Sequence, residues 1–283
     1  MMPLDLRRRF YAEEIEATAN LRSASVVDAL ATVPREQFVR SGPWTVRSEA
    51  DFQSGPRQTP DADPRHVYHN LAVALDPARQ LFNGAPSVVA MVIDRLALKP
   101  GERVVHVGCG TGYYTAVMAH CVGASGKVTA IEVDAALAAE ARANLASIRW
   151  VAVHHGDGRT IEGDVDAMLV NAGVTHPLDS WLDALRPGGR LALPLTVAMS
   201  STIGKGLLIL LTRASAGDEF EARVLGFVAI YNGIGLRDDA AGRQLGAAMQ
   251  KRPMVSLTRL RRDAHDASPS CWLHLDGMCL STT

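Results

Sequence analysis

Several features that would assign the chain to a particular class of protein are scarce or absent. Only four of the 283 residues are cysteines, too few and too scattered for a disulfide scaffold. The formal net charge is −1, so the chain as a whole presents no basic field for nucleic acid or an anionic membrane surface. No apolar run approaches the ~20 residues that a membrane-spanning helix needs. These absences leave a globular protein with 47% hydrophobic residues, enough for a substantial core.

The beginning of the sequence also lacks the pattern of a secretory signal. Arg7, Arg8 and Arg9 are basic, but no apolar segment follows them. We therefore expect a cytoplasmic protein, with neither nucleic acid nor a membrane among its partners.

The sequence also gives little support for a metal site. Cys271 and Cys279 have His265 and His274 nearby, but the four residues contain no C-x-x-C pair. The segment Cys271-Trp-Leu-His274 alternates as a strand does. The sequence therefore predicts no metal site.

What the sequence does contain is a strand, a glycine-rich turn and a helix in direct succession. The β-branched run 104–107 ends in Gly108-Cys109-Gly110-Thr111-Gly112, and a helical pattern begins at Tyr113. In this geometry a backbone passes close to a bound nucleotide without interference from Cβ atoms. By itself the turn is also compatible with an ordinary tight connection between a strand and a helix. The strands that follow provide the further evidence for a nucleotide-binding site.

An acidic residue marks the end of each of the next two strands. Glu132 closes the strand 127–133 and lies 132 − 112 = 20 residues after the last glycine of the turn. At that spacing a carboxylate can accept both hydroxyls of a ribose. The strand 151–155 runs into Gly156-Asp157-Gly158, where an aspartate can reach over the crevice in which open α/β sheets bind ligands. Together these features predict a nucleoside pocket.

The spacing of the glycines separates two classes of cofactor. A dinucleotide fingerprint is G-x-G-x-x-G, whereas here the glycines run G-x-G-x-G and Tyr113 takes the last position. The arrangement resembles the S-adenosylmethionine site of class I methyltransferases, with a nicotinamide cofactor as the weaker alternative. The cofactor-binding residues that this resemblance implies are Gly108, Cys109, Gly110, Thr111, Gly112, Tyr113, Glu132, Val133, Asp157, Gly158 and Asn171.

Longer stretches resemble one methyltransferase family. VVDALATVPREQFV is similar to the opening of protein-L-isoaspartate O-methyltransferases, and LKPGERVVHVGCGTGYYTAVMAHCVG, GKVTAIEVD, HHGDG and LRPGGRLALPL follow in the family's order. The likeness covers residues 12–196. It implies a Rossmann-like fold, S-adenosylmethionine as the cofactor and O-methylation of a carboxylate of a protein or peptide.

The acceptor site departs from the family pattern. The family carries Ser-Gln-Pro before the helix that precedes the first strand, and the Ser or Thr hydroxyl helps to hold the isoaspartyl carboxylate. The matching stretch here is Asn83-Gly84-Ala85-Pro86, so Gly84 stands where the hydroxyl would be and Asn83 could supply an amide donor. The remaining residues that we expect near the transferred methyl group follow the fourth strand and are Asn171, Thr175 and His176.

The nature of the acceptor decides whether a base is needed. A carboxylate is already ionised near neutral pH, whereas a phenol or alcohol would need a base, for which His66, His69 and His176 are candidates. No Asp/Asn-Pro-Pro-Tyr/Phe sequence follows the fourth strand, which disfavours methylation of a DNA amine. A small-molecule methyltransferase and a non-catalytic S-adenosylmethionine-binding module remain open as alternatives.

The alternation of strands and helices predicts an α/β fold with a doubly wound, mostly parallel sheet. After residue 196 a hairpin from 206–212 and 222–231, a helix over 238–251 and late strands at 256–261 and 271–275 predict a C-terminal β-rich extension. Before the glycine-rich turn we expect N-terminal helices over 5–33 and a long loop over 41–66 that acts as a lid. The three regions that we predict are 1–98 for the acceptor site and lid, 99–213 for the cofactor-binding core and 214–283 for the extension.

Overall fold

The structure is a computed structural model that describes residues 2–48 and 54–283. The helices in these residues are α1 Leu4–Ala19, α2 Ala24–Thr32, α3 Pro86–Leu96, α4 Tyr113–Val122, α5 Ala135–Leu145, α6 Asp179–Ala184 and α7 Asp239–Lys251. The strands are β1 Thr45–Arg47, β2 Arg57–Gln58, β3 Ala72–Asp76, β4 Leu81–Phe82, β5 Arg103–Val107, β6 Lys127–Glu132, β7 Val151–His155, β8 Val165–Val170, β9 Leu185–Ala198, β10 Ile203–Arg213, β11 Phe220–Tyr231, β12 Arg259–Arg261, β13 Cys271–Leu275 and β14 Met278–Ser281.

The chain forms two compact units, which are described one at a time. The first consists of Met1–Glu102 and Cys109–His155, and the second of Arg103–Gly108 and Gly156–Thr283. The predicted regions 1–98, 99–213 and 214–283 were defined by function and not by compactness, so this division stays a prediction.

The second unit is built on strands in the order β13-β14-β12-β11-β10-β9-β8-β5. β5, β8 and β9 are parallel, with Val104 beside Ala167 and Ala167 beside Arg190. From β9 onward the neighbouring strands are antiparallel, and β10 pairs with β11 from Ile203 to Arg213 as the predicted hairpin requires. The α/β class and the C-terminal β-rich extension are therefore confirmed.

β8 shows why the middle of this sheet is parallel. Its sequence VDAMLV has five buried residues of six, so both of its faces are covered. A strand covered on both faces is typical of a parallel sheet, whereas a half-solvated antiparallel strand alternates apolar and polar residues. The Met168 and Leu169 side chains, which point to opposite faces, are 0% and 2% exposed.

In the first unit, β6 and β7 are parallel and place Glu132 opposite His155. The helix between them is α5, whose alanine-rich sequence without glycine or proline favours a helix. It begins at Asp134, whose carboxylate accepts hydrogen bonds from the N–H groups of Ala136 and Leu137. α4 has nine buried residues of ten and is therefore a central helix, not a surface helix.

The predicted N-terminal helices over 5–33 are confirmed as α1 and α2, although the sequence pattern does not place the break between them. α1 ends at Asn20, which has a left-handed φ of 49°, and α2 begins after Ser23. Asp94 of α3 accepts the N–H groups of Arg22 and Ser23 at 2.8 and 2.7 Å. The break is therefore fixed by a carboxylate about seventy residues away, which helical periodicity cannot reveal.

The prediction of one long loop over 41–66 is also wrong for the residues that the structure describes. β1 and β2 lie in this segment and pair with each other, and β1 pairs with β3. The resulting sheet has the order β2-β1-β3-β4. The predicted lid includes residues 49–53, which lie outside the described residues.

Among the helices of residues 2–48 and 54–283, none is long and apolar enough to cross a membrane.

His106 on β5 makes the stability of the second unit depend on acid. The side chain is 0% exposed, and burial lowers the pKa of His106 from 6.5 to about 3. In the unfolded chain the imidazole protonates near pH 6.5, so its contribution to stability is complete above that pH and is lost as the pH falls toward 3.

We expect the free energy of unfolding to fall by about 2 kcal/mol more between pH 7.5 and pH 5 in the wild type than in His106→Val. Valine is chosen because both neighbouring residues of β5, Val105 and Val107, are valines, so the substitution suits this strand. Urea unfolding at the two pH values measures the difference, and His154→Val, at an exposed histidine of β7, is the control. Parallel pH profiles for the wild type and His106→Val would contradict the assignment.

Candidate active site

The glycine-rich turn adopts a backbone conformation that requires its glycines. The φ angles of Gly108, Gly110 and Gly112 are 78°, 56° and 98°, a region that residues with a Cβ atom rarely adopt. A Cβ at Gly112 would also lie 2.7 Å from Cδ1 of Leu145. Gly112 is the N-cap of α4, so the turn leads β5 directly into a helix N-terminus, where free N–H groups favour a negatively charged group.

Glu132 is held against this turn by the backbone. Its Oε2 accepts the N–H of Gly110 at 2.8 Å and its Oε1 accepts the N–H of Asp134 at 3.0 Å. The residue is 7% exposed. Each carboxylate oxygen retains a second lone pair, so the group is oriented and can still accept two hydroxyl donors. Val133 follows directly in the sequence.

Three other residues predicted to bind the cofactor have side chains that are buried in the protein. Thr111 Oγ1 donates to the carbonyl of Phe38 at 2.6 Å. Tyr113 is 2% exposed, and burial raises the pKa of its phenol well above the usual value. Burial also raises the pKa of the Cys109 thiol. The contribution that we propose for these three residues is therefore made by their main chain.

In the second unit, three predicted residues meet at the carboxyl end of β5. The N–H of Asn171 donates to the carbonyl of Val107 at 2.8 Å, and a Cβ at Gly108 would lie 3.1 Å from the Asn171 carbonyl oxygen. Gly158 has a φ of 72°, and a Cβ there would lie 2.6 Å from Cγ1 of Val107. Asp157 precedes it, and its Oδ1 accepts the N–H of Arg159 at 3.0 Å. The backbone at this strand end therefore has no room for larger residues.

Thr175 and His176 form a hydrogen-bonded pair. Thr175 Oγ1 accepts the N–H of Asp238 at 3.0 Å and lies 3.0 Å from His176 Nδ1. The hydroxyl has a second lone pair, so it accepts the Nδ1 proton in one tautomer of the ring and donates to Nδ1 in the other. Burial lowers the pKa of His176, so the neutral ring predominates at pH 7. The alternative base His66 has its Nε2 2.8 Å from Asp61 Oδ1.

The acceptor-site stretch is fixed by two hydrogen bonds to β3. Asn83 Oδ1 accepts the N–H of Val73 at 2.8 Å, and the N–H of Asn83 donates to the Val73 carbonyl at 2.9 Å. The plane of the Asn83 amide is therefore set, with the Nδ2 hydrogens as its donors. The Gly84 carbonyl accepts the Tyr114 hydroxyl at 2.6 Å. A Cβ at Gly84 would lie 2.5 Å from Cγ2 of Val89, so this position has no space for a serine side chain unless Val89 moves.

Arg35 is the residue that sequence reasoning missed. It is 0% exposed, and its guanidinium donates to the carbonyls of Val67, His69 and Leu71 at 2.6, 3.0 and 2.7 Å. Its Cζ also lies 5.6 Å from the ring centre of Tyr113. Arg35 thus fastens the segment that enters β3, the strand to which Asn83 is bound. The available signal was an arginine directly after a proline in VVDALATVPREQFV.

Comparison with known proteins identifies the family. The family model for protein-L-isoaspartate(D-aspartate) O-methyltransferase matches residues 11–205. The chain belongs to this family. A Methylorubrum extorquens protein-L-isoaspartate O-methyltransferase is 34% identical over 225 residues, which cover 77% of this chain and 85% of that protein. A Methanothermobacter thermautotrophicus protein of the same name is 29% identical over 237 residues, covering 82% and 96%.

Solved structures show the same fold. A protein-L-isoaspartate O-methyltransferase superposes with a TM-score of 0.65 at 18% identity, covering 98% of this chain and 88% of that one. A Plasmodium falciparum protein of the same family name, in complex with S-adenosyl-L-homocysteine, gives 0.60 at 18% identity and covers 80% and 97%.

The chain is therefore a class I methyltransferase that uses S-adenosylmethionine for O-methylation. The predicted family, enzyme class and cofactor are confirmed. The nicotinamide cofactor and the non-catalytic module are not favoured.

Proposed function

We propose that the enzyme methylates the free carboxylate of an isoaspartyl residue in a protein or peptide. The observation that carries the proposal is the amide of Asn83, which is fixed by the N–H of Val73. We assign to its Nδ2 donors the role of the family hydroxyl, for which Gly84 has no side chain. Relatives named for this acceptor support it, because they match most of the chain.

The roles that we propose for the cofactor residues follow from the geometry of each unit. Gly108 and the main chain from Cys109 to Tyr113 bind the methionine part, and Glu132 with Val133 binds the ribose. Asp157 and Gly158 contact the adenine edge. Asn171 lies near the methionine part and the methyl group.

The chemistry asks little of the protein beyond alignment. S-adenosylmethionine supplies a methyl group on a sulfonium, and the acceptor carboxylate oxygen attacks it while the carbon–sulfur bond breaks. Holding the two in line is worth about 7–11 kcal/mol. A carboxylate carries no proton to remove near neutral pH, so the reaction needs no general base.

Asn83→Asp tests the role of the amide. Aspartate keeps an oxygen acceptor for the Val73 N–H but removes the Nδ2 donor and adds a charge that repels the acceptor carboxylate. We expect KM for an isoaspartyl peptide to rise by about 10- to 100-fold, since a hydrogen bond to a charged group is worth ~1.5–3 kcal/mol. Asn83→Ala should raise KM as well, through loss of the bond to β3.

The matched control is Asn20→Asp at the exposed end of α1. Steady-state kinetics give KM and kcat separately, and a thermal melt of each variant shows that the fold is retained. An unchanged KM in both Asn83 variants would remove Asn83 from the acceptor site.

The nature of the product tests the carboxylate itself. With a methyl-labelled donor, a methyl ester releases labelled methanol in mild alkali, whereas a methyl group on a phenol oxygen or a nitrogen is retained. The proposal predicts release of nearly all of the transferred label. Retention of the label would contradict it and favour a small-molecule phenol or amine acceptor.

A further inference from the structure

Four potential metal ligands converge in the C-terminal extension. One donor atom from each of His265, Cys271, His274 and Cys279 lies within 4.8 Å of the other three. The cysteines are free thiols. The cluster lies beyond residues 11–205, the part of the chain that the family model matches.

A β-bulge brings these side chains to one face of the hairpin β13–β14. His274 pairs with Cys279, and Cys271 pairs with Ser281, two residues after Cys279. Cys271 and His274 are three positions apart and would face opposite sides of a regular strand. The register shift between Cys271 and Leu273 inserts one residue and restores them to the same face. The strict alternation assumed from the sequence is therefore wrong here.

His265 completes the set from the loop before β13. Its Nδ1 lies 2.9 Å from the carbonyl of Asp263, which assigns the ring proton to Nδ1 and leaves the Nε2 lone pair free. That Nε2 lies 3.6 Å from the Sγ of Cys271. Ligands at Zn–S and Zn–N distances of about 2.3 and 2.05 Å in a tetrahedral site are separated by about 3.6 Å, the same spacing.

A second observation comes from His274. Its Nδ1 is buried and has no hydrogen-bond partner among the described residues. A buried polar atom of this kind requires an explanation, and a bound metal ion supplies one.

We propose that His265, Cys271, His274 and Cys279 form a structural zinc site that fastens the loop 262–270 to the C-terminal hairpin. Two cysteines and two histidines favour zinc over iron–sulfur clusters, which prefer four cysteines, and over magnesium or calcium, which prefer oxygen. All four positions are filled by protein, so the site is structural and has no open position for catalysis. Binding releases the protons of the two thiols.

The direct test is the metal content of the full-length protein, purified without chelator and without a histidine tag. The proposal predicts about one zinc per chain by mass spectrometry of the metal. Cys271→Ser, at a half-buried position, should contain less than about a tenth of an equivalent. His265→Ala in the loop should do the same. Cys121→Ser and His120→Gln, on α4, are matched controls that should retain the full content.

Cobalt gives a second readout that does not depend on activity. In protein stripped of zinc, Co²⁺ should produce the visible absorption of a tetrahedral thiolate complex, and this absorption should be lost in Cys271→Ser. Chelation should lower the melting temperature of the wild type and leave that of Cys271→Ser unchanged.

Two results would overturn the proposal. One is wild-type protein with four titratable thiols but neither zinc nor a cobalt spectrum. The other is a mass two hydrogens lower with Cys271 and Cys279 joined in a disulfide, which would make the pair a redox site.

Discussion

Glu132→Ala is expected to weaken binding of S-adenosylmethionine and S-adenosylhomocysteine by about two to four orders of magnitude. The carboxylate is already oriented by the N–H groups of Gly110 and Asp134, so its remaining lone pairs can accept both ribose hydroxyls. Two hydrogen bonds to a charged group at ~1.5–3 kcal/mol each correspond to a loss of affinity of about 10²- to 10⁴-fold. The substitution also frees the Gly110 amide, which loosens the turn.

Titration calorimetry with S-adenosylhomocysteine measures this loss. Glu132→Gln, which keeps the shape but not the charge, should fall between the wild type and alanine. Asp157→Ala should weaken binding less, because an edge contact is one or two hydrogen bonds. Glu140→Ala on α5 is the control for removing a partly exposed glutamate. Affinity of Glu132→Ala within a few-fold of the wild type would mean that the pocket assignment is wrong.

Arg35→Met destabilises the protein by about 3–5 kcal/mol, the cost of breaking a buried charged interaction. Arg35 is 0% exposed and donates to three carbonyls between Val67 and Leu71. Methionine fills much of the volume but leaves these acceptors buried without their donor. We also expect a raised KM, because the segment that enters β3 is no longer fastened and β3 binds Asn83.

Urea unfolding measures the change in free energy. Arg40→Met is the matched control, because Arg40 pairs with Glu140 at 2.7 Å and its side chain is 50% exposed. Removing an exposed pair of this kind changes stability by about 0–1 kcal/mol. If Arg35→Met lowered the free energy of unfolding no more than Arg40→Met, the buried hydrogen bonds of Arg35 would not stabilise the protein.

The cofactor-binding motif is predictable from the sequence because its signals are local. A glycine with positive φ, such as Gly112, and an acid 20 residues later leave a pattern that needs no knowledge of distant contacts. β6 and the β10–β11 hairpin lie close to the bounds that their apolar patterns predict.

The features that the sequence did not reveal depend on contacts far along the chain. The break between α1 and α2 is set by Asp94, and Arg35 is buried by carbonyls more than thirty residues away. Strands of two or three residues, such as β2 and β1, are too short for period-two alternation to show. At Cys271 a bulge inverts the face on which a side chain lies, and the residues alone do not mark it.

The most direct test of the central claim is S-adenosylhomocysteine release with an isoaspartyl peptide, its normal aspartyl twin and a blank without peptide. Turnover on the isoaspartyl peptide alone is the result that the account predicts. It would mean that an enzyme with Gly84 in place of the family hydroxyl still selects this acceptor. Release no faster than the blank with both peptides, while the cofactor still binds, would contradict the proposed acceptor and leave the family assignment intact.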